Sequence, residues 1–119
     1  MDNEELKEKM KNDIEENLMV GILDLIVLKL IAETDMYGYQ IKHEIMSRSK
    51  NTIRIKEGTL YGPLYRMEKK GMISVRRELV GARRFRMYYH LEDLGKQYLE
   101  IALKSYETIL EGAGAIIGK

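Results

Sequence analysis

A chain of 119 residues without cysteine has room for one domain with a modest core, and no means of making disulfides, thiol catalysis or a Cys-ligated zinc site. No apolar run reaches the roughly 18 residues of a membrane span, and the acidic, charged N-terminus is unlike a secretory signal, so a cytoplasmic protein is expected. The net charge of +1 conceals a segregation: residues 42–86 carry thirteen Lys and Arg against four Glu, a net +9, which suits one surface to a polyanion, although by charge alone a solvated basic face fits equally well.

Residues 3–16 are mostly charged, with Leu6, Met10 and Ile14 at i, i+4 and i+8, the narrow stripe of a helical arm that packs on something else. Residues 18–32 are apolar nearly all round, with Asp24 and Lys29 as their charges. Such a helix should be buried on more than one side, and in a chain this small a partner subunit is expected to cover part of it. Glu33-Thr34-Asp35 breaks the pattern, and Thr34 or Asp35 can cap the next helix. Tyr37, Ile41 and Ile45 then mark the inner stripe of a helix over roughly 36–48, with Tyr39, Gln40, Lys42 and His43 facing away. Ser47 to Asn51 reads as a turn, and the alternating Thr52-Ile53-Arg54-Ile55 as a short third strand able to pair with a hairpin.

The stretch that organises the chain comes next. Leu60, Leu64 and Met67 recur at i, i+4 and i+7, one apolar stripe of a helix over 58–69. Thr59, Gly62 and Arg66 lie opposite, with Tyr61 and Tyr65 on the flank. Pro63 removes a backbone hydrogen bond unless it falls in the first turn, so a tight or distorted start is expected. Gly71 follows Lys69 and Lys70, where a helix should stop. The period then changes to two. Residues 72–79 and 84–91 make a hairpin turning at Val80-Gly81-Ala82-Arg83, with Phe85, Met87, Tyr89 and Leu91 on one face and Arg84, Arg86, Tyr88 and His90 on the other. Arg76, Arg77, Arg83, Arg84 and Arg86 put five arginines in eleven residues, and the planar guanidinium suits phosphates and narrow minor grooves.

The last element, about 92–111, opens with Glu92 and Asp93, favourable at a helix N-terminus. It carries two stripes, one of Leu94, Tyr98, Ile101 or Ala102, Ser105 and Ile109, the other of Leu99, Leu103, Tyr106 and Leu110. A small monomer cannot bury both, so a homodimer built from this helix and the N-terminal one is the simple solution. The tail from Gly112 to Ala115 is expected to fray. Helix, glycine stop and arginine-rich hairpin are the parts of a winged helix-turn-helix. The expected class is α+β, mainly α: one domain over 1–119, with a DNA-binding core at 17–91, a helical arm at 1–16 and a dimerisation helix at 92–111.

The same residues resemble the PadR-like transcriptional regulators. The matching pieces are Tyr37-Gly38-Tyr39-Gln40-Ile41 and Glu57-Gly58-Thr59-Leu60-Tyr61, then Leu64, Arg66, Glu68, Gly71 and Ile73, and further on Arg83-Arg84, Tyr88-Tyr89, Leu91 and Gly95. Their order and spacing cover roughly 18–99. Two positions depart from the family pattern. Gly62 precedes Pro63 where the family often has Pro directly after Leu-Tyr, and Glu92 stands where Thr usually follows the second strand, which weakens a helix cap. The resemblance implies a winged-helix homodimer of the short branch that represses promoters. The helix at 58–69 would enter the major groove of double-stranded operator DNA, and the hairpin would touch the neighbouring backbone or minor groove. It also implies that the C-terminal helix packs with the partner's N-terminal helix, and that a flat aromatic effector binds between subunits, as in some short members.

Thr59, Tyr61, Tyr65 and Arg66 are the expected recognition surface, Arg66 pairing with a guanine edge and Thr59 and Tyr61 with phosphates. For Tyr65, packing is an equally good reading. Tyr39, Gln40 and Lys42 are expected at the backbone, with Lys56 and Arg54 nearby, while Arg83, Arg84 and Arg86 supply electrostatic affinity. Leu60, Leu64, Met67, Tyr37 and Ile41 are read as plain core. Most of the eight methionines are core filler, but Met10, Met19, Tyr98 and Tyr106 are candidates to line an adaptable cavity between subunits. His43 and His90 lack metal-ligand spacing, and no nucleophile–base pair, phosphate loop or paired carboxylates mark an enzyme or call for a cofactor. The competing reading is a winged-helix dimer whose basic face binds an acidic protein.

Overall fold

A computed structural model describes residues 2–118, with Glu57 described by its backbone alone. Helix α1 spans Asn3–Glu33, capped by the Asp2 carboxylate, which accepts the Glu5 N–H at 2.8 Å. The expected arm and greasy helix are therefore one element of 31 residues. Neither Asn17 nor Gly21 stops it, because each costs the helix well under the loss that proline would bring, about 3 kcal/mol. Only its C-terminal half is covered: Leu23, Leu25, Val27, Leu28, Leu30 and Ile31 are buried, whereas Leu6, Met10, Ile14 and Leu18 are exposed.

The sheet is antiparallel in the order β1-β3-β2, with β1 at Met36–Tyr37, β2 at Ile73–Leu79 and β3 at Phe85–Leu91. The third strand is thus Met36–Tyr37, paired Met36 to Tyr89 and Tyr37 to Tyr88, and not Thr52–Ile55. The latter segment stays irregular between helices α2 (Gly38–Arg48) and α3 (Glu57–Lys69), tied down by the Ser49 hydroxyl, which accepts the Ile53 N–H at 3.1 Å. Its isoleucines, Ile53 and Ile55, pack on the core as half-buried side chains instead of pairing along an edge. Because Met36 and Tyr37 are strand, α2 begins at Gly38, without a side-chain cap. Asp35 is not a cap either. It accepts from the Arg76 guanidinium and lies 2.8 Å from His90 Nδ1, which locks the end of α1 to the sheet. Burial opposes the charge on Asp35, but the hydrogen bonds from His90 and Arg76 outweigh it and hold the carboxyl below its usual range.

Helix α3 follows its apolar stripe: Leu60, Leu64 and Met67 are fully buried against Ile41 and Ile45 of α2 and the buried end of α1. Its first turn is tight, since the Thr59 N–H donates to the Lys56 carbonyl three residues back, and the helix then runs through Pro63. It stops at Gly71, φ +77°, with Gly71 N–H bonded to Glu68 and Met72 N–H to Met67, so the glycine supplies the left-handed residue of the stop. Tyr37, expected in the core, is half-buried and meets Tyr88 edge-on at 5.4 Å.

Helix α4 spans Asp93–Ile117 and does not fray at Gly112. Two glycines separated by alanine cost about 1 kcal/mol each, too little to end a helix that continues into Ile116 and Ile117. The stop is Gly118, φ +97°. Glu92, at the N-cap, makes no side-chain cap bond and instead accepts from the Ser74 hydroxyl. Leu99 and Gly95 are the buried residues of α4, so most of its apolar surface faces outward. Among the described residues no helix is long and apolar enough to cross a membrane. The assembly is a winged helix, mainly helical, with the three-stranded sheet at one side.

Candidate nucleic-acid interface

With its apolar stripe turned inward, α3 presents Thr59, Tyr61, Gly62 and Tyr65 to solvent. Tyr65 is 61% exposed and so is not a packed residue of this chain, and Lys69 sits 5.3 Å above its ring. Tyr61 is exposed on one side and on the other lies against the first residue of α2. A Cβ on Gly38 would lie 3.0 Å from the Tyr61 hydroxyl, so a larger residue there would push the tyrosine ring aside by a few tenths of an ångström. Next to that contact, Tyr39 projects into solvent, while Gln40 and Lys42 are half-buried along α2. Arg54 and Lys56 are exposed in the segment leading into α3. These residues lie on α3, on α2, which packs against it, and on the segment that joins the two. The Glu57 side chain, part of the family-like run, lies outside the described residues.

Arg66 is placed differently from its neighbours. Both terminal nitrogens grip one carboxylate of α1, Nη1 to Asp24 Oδ2 at 2.7 Å and Nη2 to Asp24 Oδ1 at 3.0 Å. Asp24 is the more enclosed partner, its side chain only 15% exposed. Its hydrogen bonds and charge raise the guanidinium pKa above the ordinary arginine range, against a smaller opposing effect of burial, with Tyr98 of α4 adding to the rise. The residue thus clamps α3 to α1 beside α4. Residue spacing alone assigns Asp24 no partner. The available signal was its isolation, an acid in the middle of an apolar helix face, where a buried charge requires a partner.

The hairpin arginines divide by strand face. On the outer face Arg76 is held by Asp35 and Glu78 and lies over the Tyr88 ring, and Arg86 stacks on Tyr37 at 4.3 Å. Arg77, on the inner face, covers the Phe85 ring at 4.2 Å. The tip is closed by the Val80 N–H donating to the Arg84 carbonyl at 2.9 Å. Arg83 and Arg84 are exposed there, and among the described residues no carboxylate pairs with them.

Met10, Met19, Tyr98 and Tyr106 do not meet in a cavity of one chain. Met10, Tyr98 and Tyr106 are exposed on the outer faces of α1 and α4, and Met19 is half-buried. An open cleft of about 480 Å³ lies between the end of α1, β3 and α4, lined by Ile31, Thr34, Asp35, His90, Lys96 and Leu99 among others. It contains none of the four.

The profile of the PadR-like family of transcriptional regulators matches residues 27–101, from the buried half of α1 into α4. A protein of Lysinibacillus sphaericus is 40% identical over 98 residues, which are 82% of this chain and 90% of that one. Among solved structures, a transcriptional regulator from Clostridium thermocellum superposes with a TM-score of 0.74 at 29% identity, covering 86% of this chain and 95% of that one. Bacillus subtilis PadR, solved in complex with operator DNA, is similar at 26% identity and a TM-score of 0.64, over 69% of this chain and 47% of the longer PadR chain. The glycine-stopped α3, the short β1 and the arginine-tipped hairpin all fall within the matched stretch, and the chain belongs to the PadR-like family of transcriptional regulators.

Proposed function

We propose that the protein is a sequence-specific, DNA-binding repressor that works in the cytoplasm as a homodimer. One observation carries the reading: the exposed residues of α3 and α2 and the uncompensated arginines of the hairpin tip belong to one basic region, in a chain whose other segments are acidic. The Bacillus subtilis relative with operator DNA supports it. Thr59, Tyr61 and Tyr65 face the bases and flanking phosphates of the major groove. Tyr39, Gln40, Lys42, Arg54 and Lys56 hold the neighbouring backbone, while Arg83 and Arg84 supply charge from the tip. Arg86 contributes through its stack on Tyr37. Arg66 is assigned to positioning, because both of its terminal nitrogens are committed to Asp24.

The test is fluorescence anisotropy across a salt series, with DNA from upstream of the protein's own gene against a scrambled duplex. Preferential binding to the upstream duplex with a steep salt slope is expected. Arg83→Ala with Arg84→Ala should weaken binding to both duplexes alike and flatten the slope by about one for each phosphate no longer neutralised. No binding to either duplex at low salt would point to an acidic protein as the partner instead.

The dimer reading rests on apolar surface that one chain cannot cover. Leu6, Met10, Ile14 and Leu18 of α1, and Ile101, Ile109 and Leu110 of α4, are all exposed. Pairing α4 with the partner's α1 buries both stripes at once, as isologous symmetry requires. It also brings Met10, Met19, Tyr98 and Tyr106 to the seam, where a flat aromatic or apolar effector would bind and release the DNA. Ile109 is 68% exposed, so Ile109→Glu should fold normally and weaken self-association by about tenfold to a hundredfold, read by sedimentation equilibrium. Unchanged association would remove α4 from the interface.

A further inference from the structure

Strands β2 and β3 extend beyond the helices they pack on. Near the body, their inner face is covered: Ile73, Tyr89 and Leu91 are buried and Val75 is half-buried. Two rungs further out the same face carries Leu79 directly opposite Phe85, with Met87 one rung back. Leu79 is 62% and Phe85 54% exposed, and Val80 and Met87 are exposed beside them. Single exposed apolar residues are ordinary. Four on the end of a two-stranded ribbon are not, since such an edge invites aggregation unless a partner covers it.

The charges around this patch indicate the partner. On the outer face Glu78 and Asp35 neutralise Arg76. On the inner face and at the tip, Arg77, Arg83 and Arg84 have no carboxylate partner among the described residues. The result is an apolar pair framed by uncompensated guanidinium groups. A minor groove has the complementary layout, with apolar sugar walls and base-step edges between two rows of phosphates. An acidic protein surface would match the charges but leave Leu79 and Phe85 facing polar groups.

We propose that the hairpin tip is an apolar minor-groove wedge, Leu79 and the uncovered edge of the Phe85 ring pressing into a base step beside the α3 site while Arg83 and Arg84 hold the flanking phosphates and Arg77 stays stacked on Phe85. The protein would then bend its operator as well as read it, with a preference for flexible pyrimidine–purine steps at that position. The inference rests on the DNA-binding reading above and goes beyond it in assigning a deformation to particular side chains.

Two readouts on the preferred duplex from the anisotropy experiment test it: energy transfer between end labels, and 2-aminopurine fluorescence at the flanking step. Wild-type protein should shorten the end-to-end distance and raise the 2-aminopurine signal. Leu79→Ser with Phe85→Ser, both at exposed positions, should abolish both changes and weaken binding by about tenfold, leaving the salt slope unaltered because no charge is removed. Arg83→Ala with Arg84→Ala should do the reverse to the slope. Tight binding to straight, fully stacked DNA would overturn the wedge while leaving the DNA reading intact. So would a double serine variant that still bends DNA, or one whose main change is in self-association. Failure of wild-type protein to bind any duplex would overturn both.

Discussion

Placing a methyl group on Gly95 is expected to cost about 3 kcal/mol or more of stability, the upper end of what overpacking does. A Cβ there would lie 2.2 Å from the Met72 carbonyl oxygen and 2.5 Å from Leu91 Cδ1. The leucine can move, but the carbonyl cannot. Met72 is held by its N–H bond to Met67, part of the glycine stop of α3, and its carbonyl accepts the Glu92 N–H at 3.0 Å. Relief therefore requires α4 to lift away from the sheet, uncovering Leu91 and Leu99, both buried. Alanine's better helix propensity returns about 1 kcal/mol, which does not offset the clash. Gly112→Ala is the matched control, with nothing within 4 Å of the added atom, and should stabilise slightly. Urea midpoints at one fixed protein concentration separate the two. Equal behaviour would mean that α4 does not approach Met72 this closely.

Asp24→Ala and Arg66→Ala are expected to behave as two halves of one interaction. Each should destabilise by about 1–2 kcal/mol, the range for a hydrogen-bonded ion pair discounted for the solvent that reaches the arginine. Arg66→Ala should be the worse of the two, because it leaves the more enclosed carboxylate without its partner. A double-mutant cycle should return a coupling of about 1 kcal/mol. On DNA, both variants should weaken binding to preferred and scrambled duplexes in parallel, since a loosened α3 presents all of its exposed residues less well. The opposite pattern is informative as well. If Arg66→Ala abolished sequence preference while Asp24→Ala sharpened binding, the guanidinium would be a base reader and Asp24 its resting partner.

Much of the architecture was legible in residue spacing. Leu60, Leu64 and Met67 announced both the helix and its buried face, and Gly71 its stop, because a 3.6-residue period and a left-handed glycine are local properties. The alternation from Ile73 to Leu91 likewise announced the hairpin and which side of it faces inward. Less legible were the joins. The arm and the apolar helix fuse into α1 because a helix continues unless something stops it. The third strand is Met36–Tyr37 because β3 already has β2 on one edge, and the short strand following α1 reaches the other. Ile53 and Ile55 had the same alternating look, but their side chains pack on the core.

The candidate site shows the same division. Sequence by itself determined which residues of α3 face outward, where the positive charge lies and that the tip is rich in arginine, since each depends on neighbours within a few positions. Tertiary structure decided which of those charges remain available. Arg66 shares the exposed side with Thr59 in any helical projection, yet Asp24, forty-two residues earlier, takes both of its terminal nitrogens. Arg76 is taken by Asp35 across a similar gap, and Arg83 and Arg84 are left without an acidic partner among the described residues. Periodicity assigns a side chain to a face, but ion pairing depends on which other element folds against that face, and this is a long-range property of the fold.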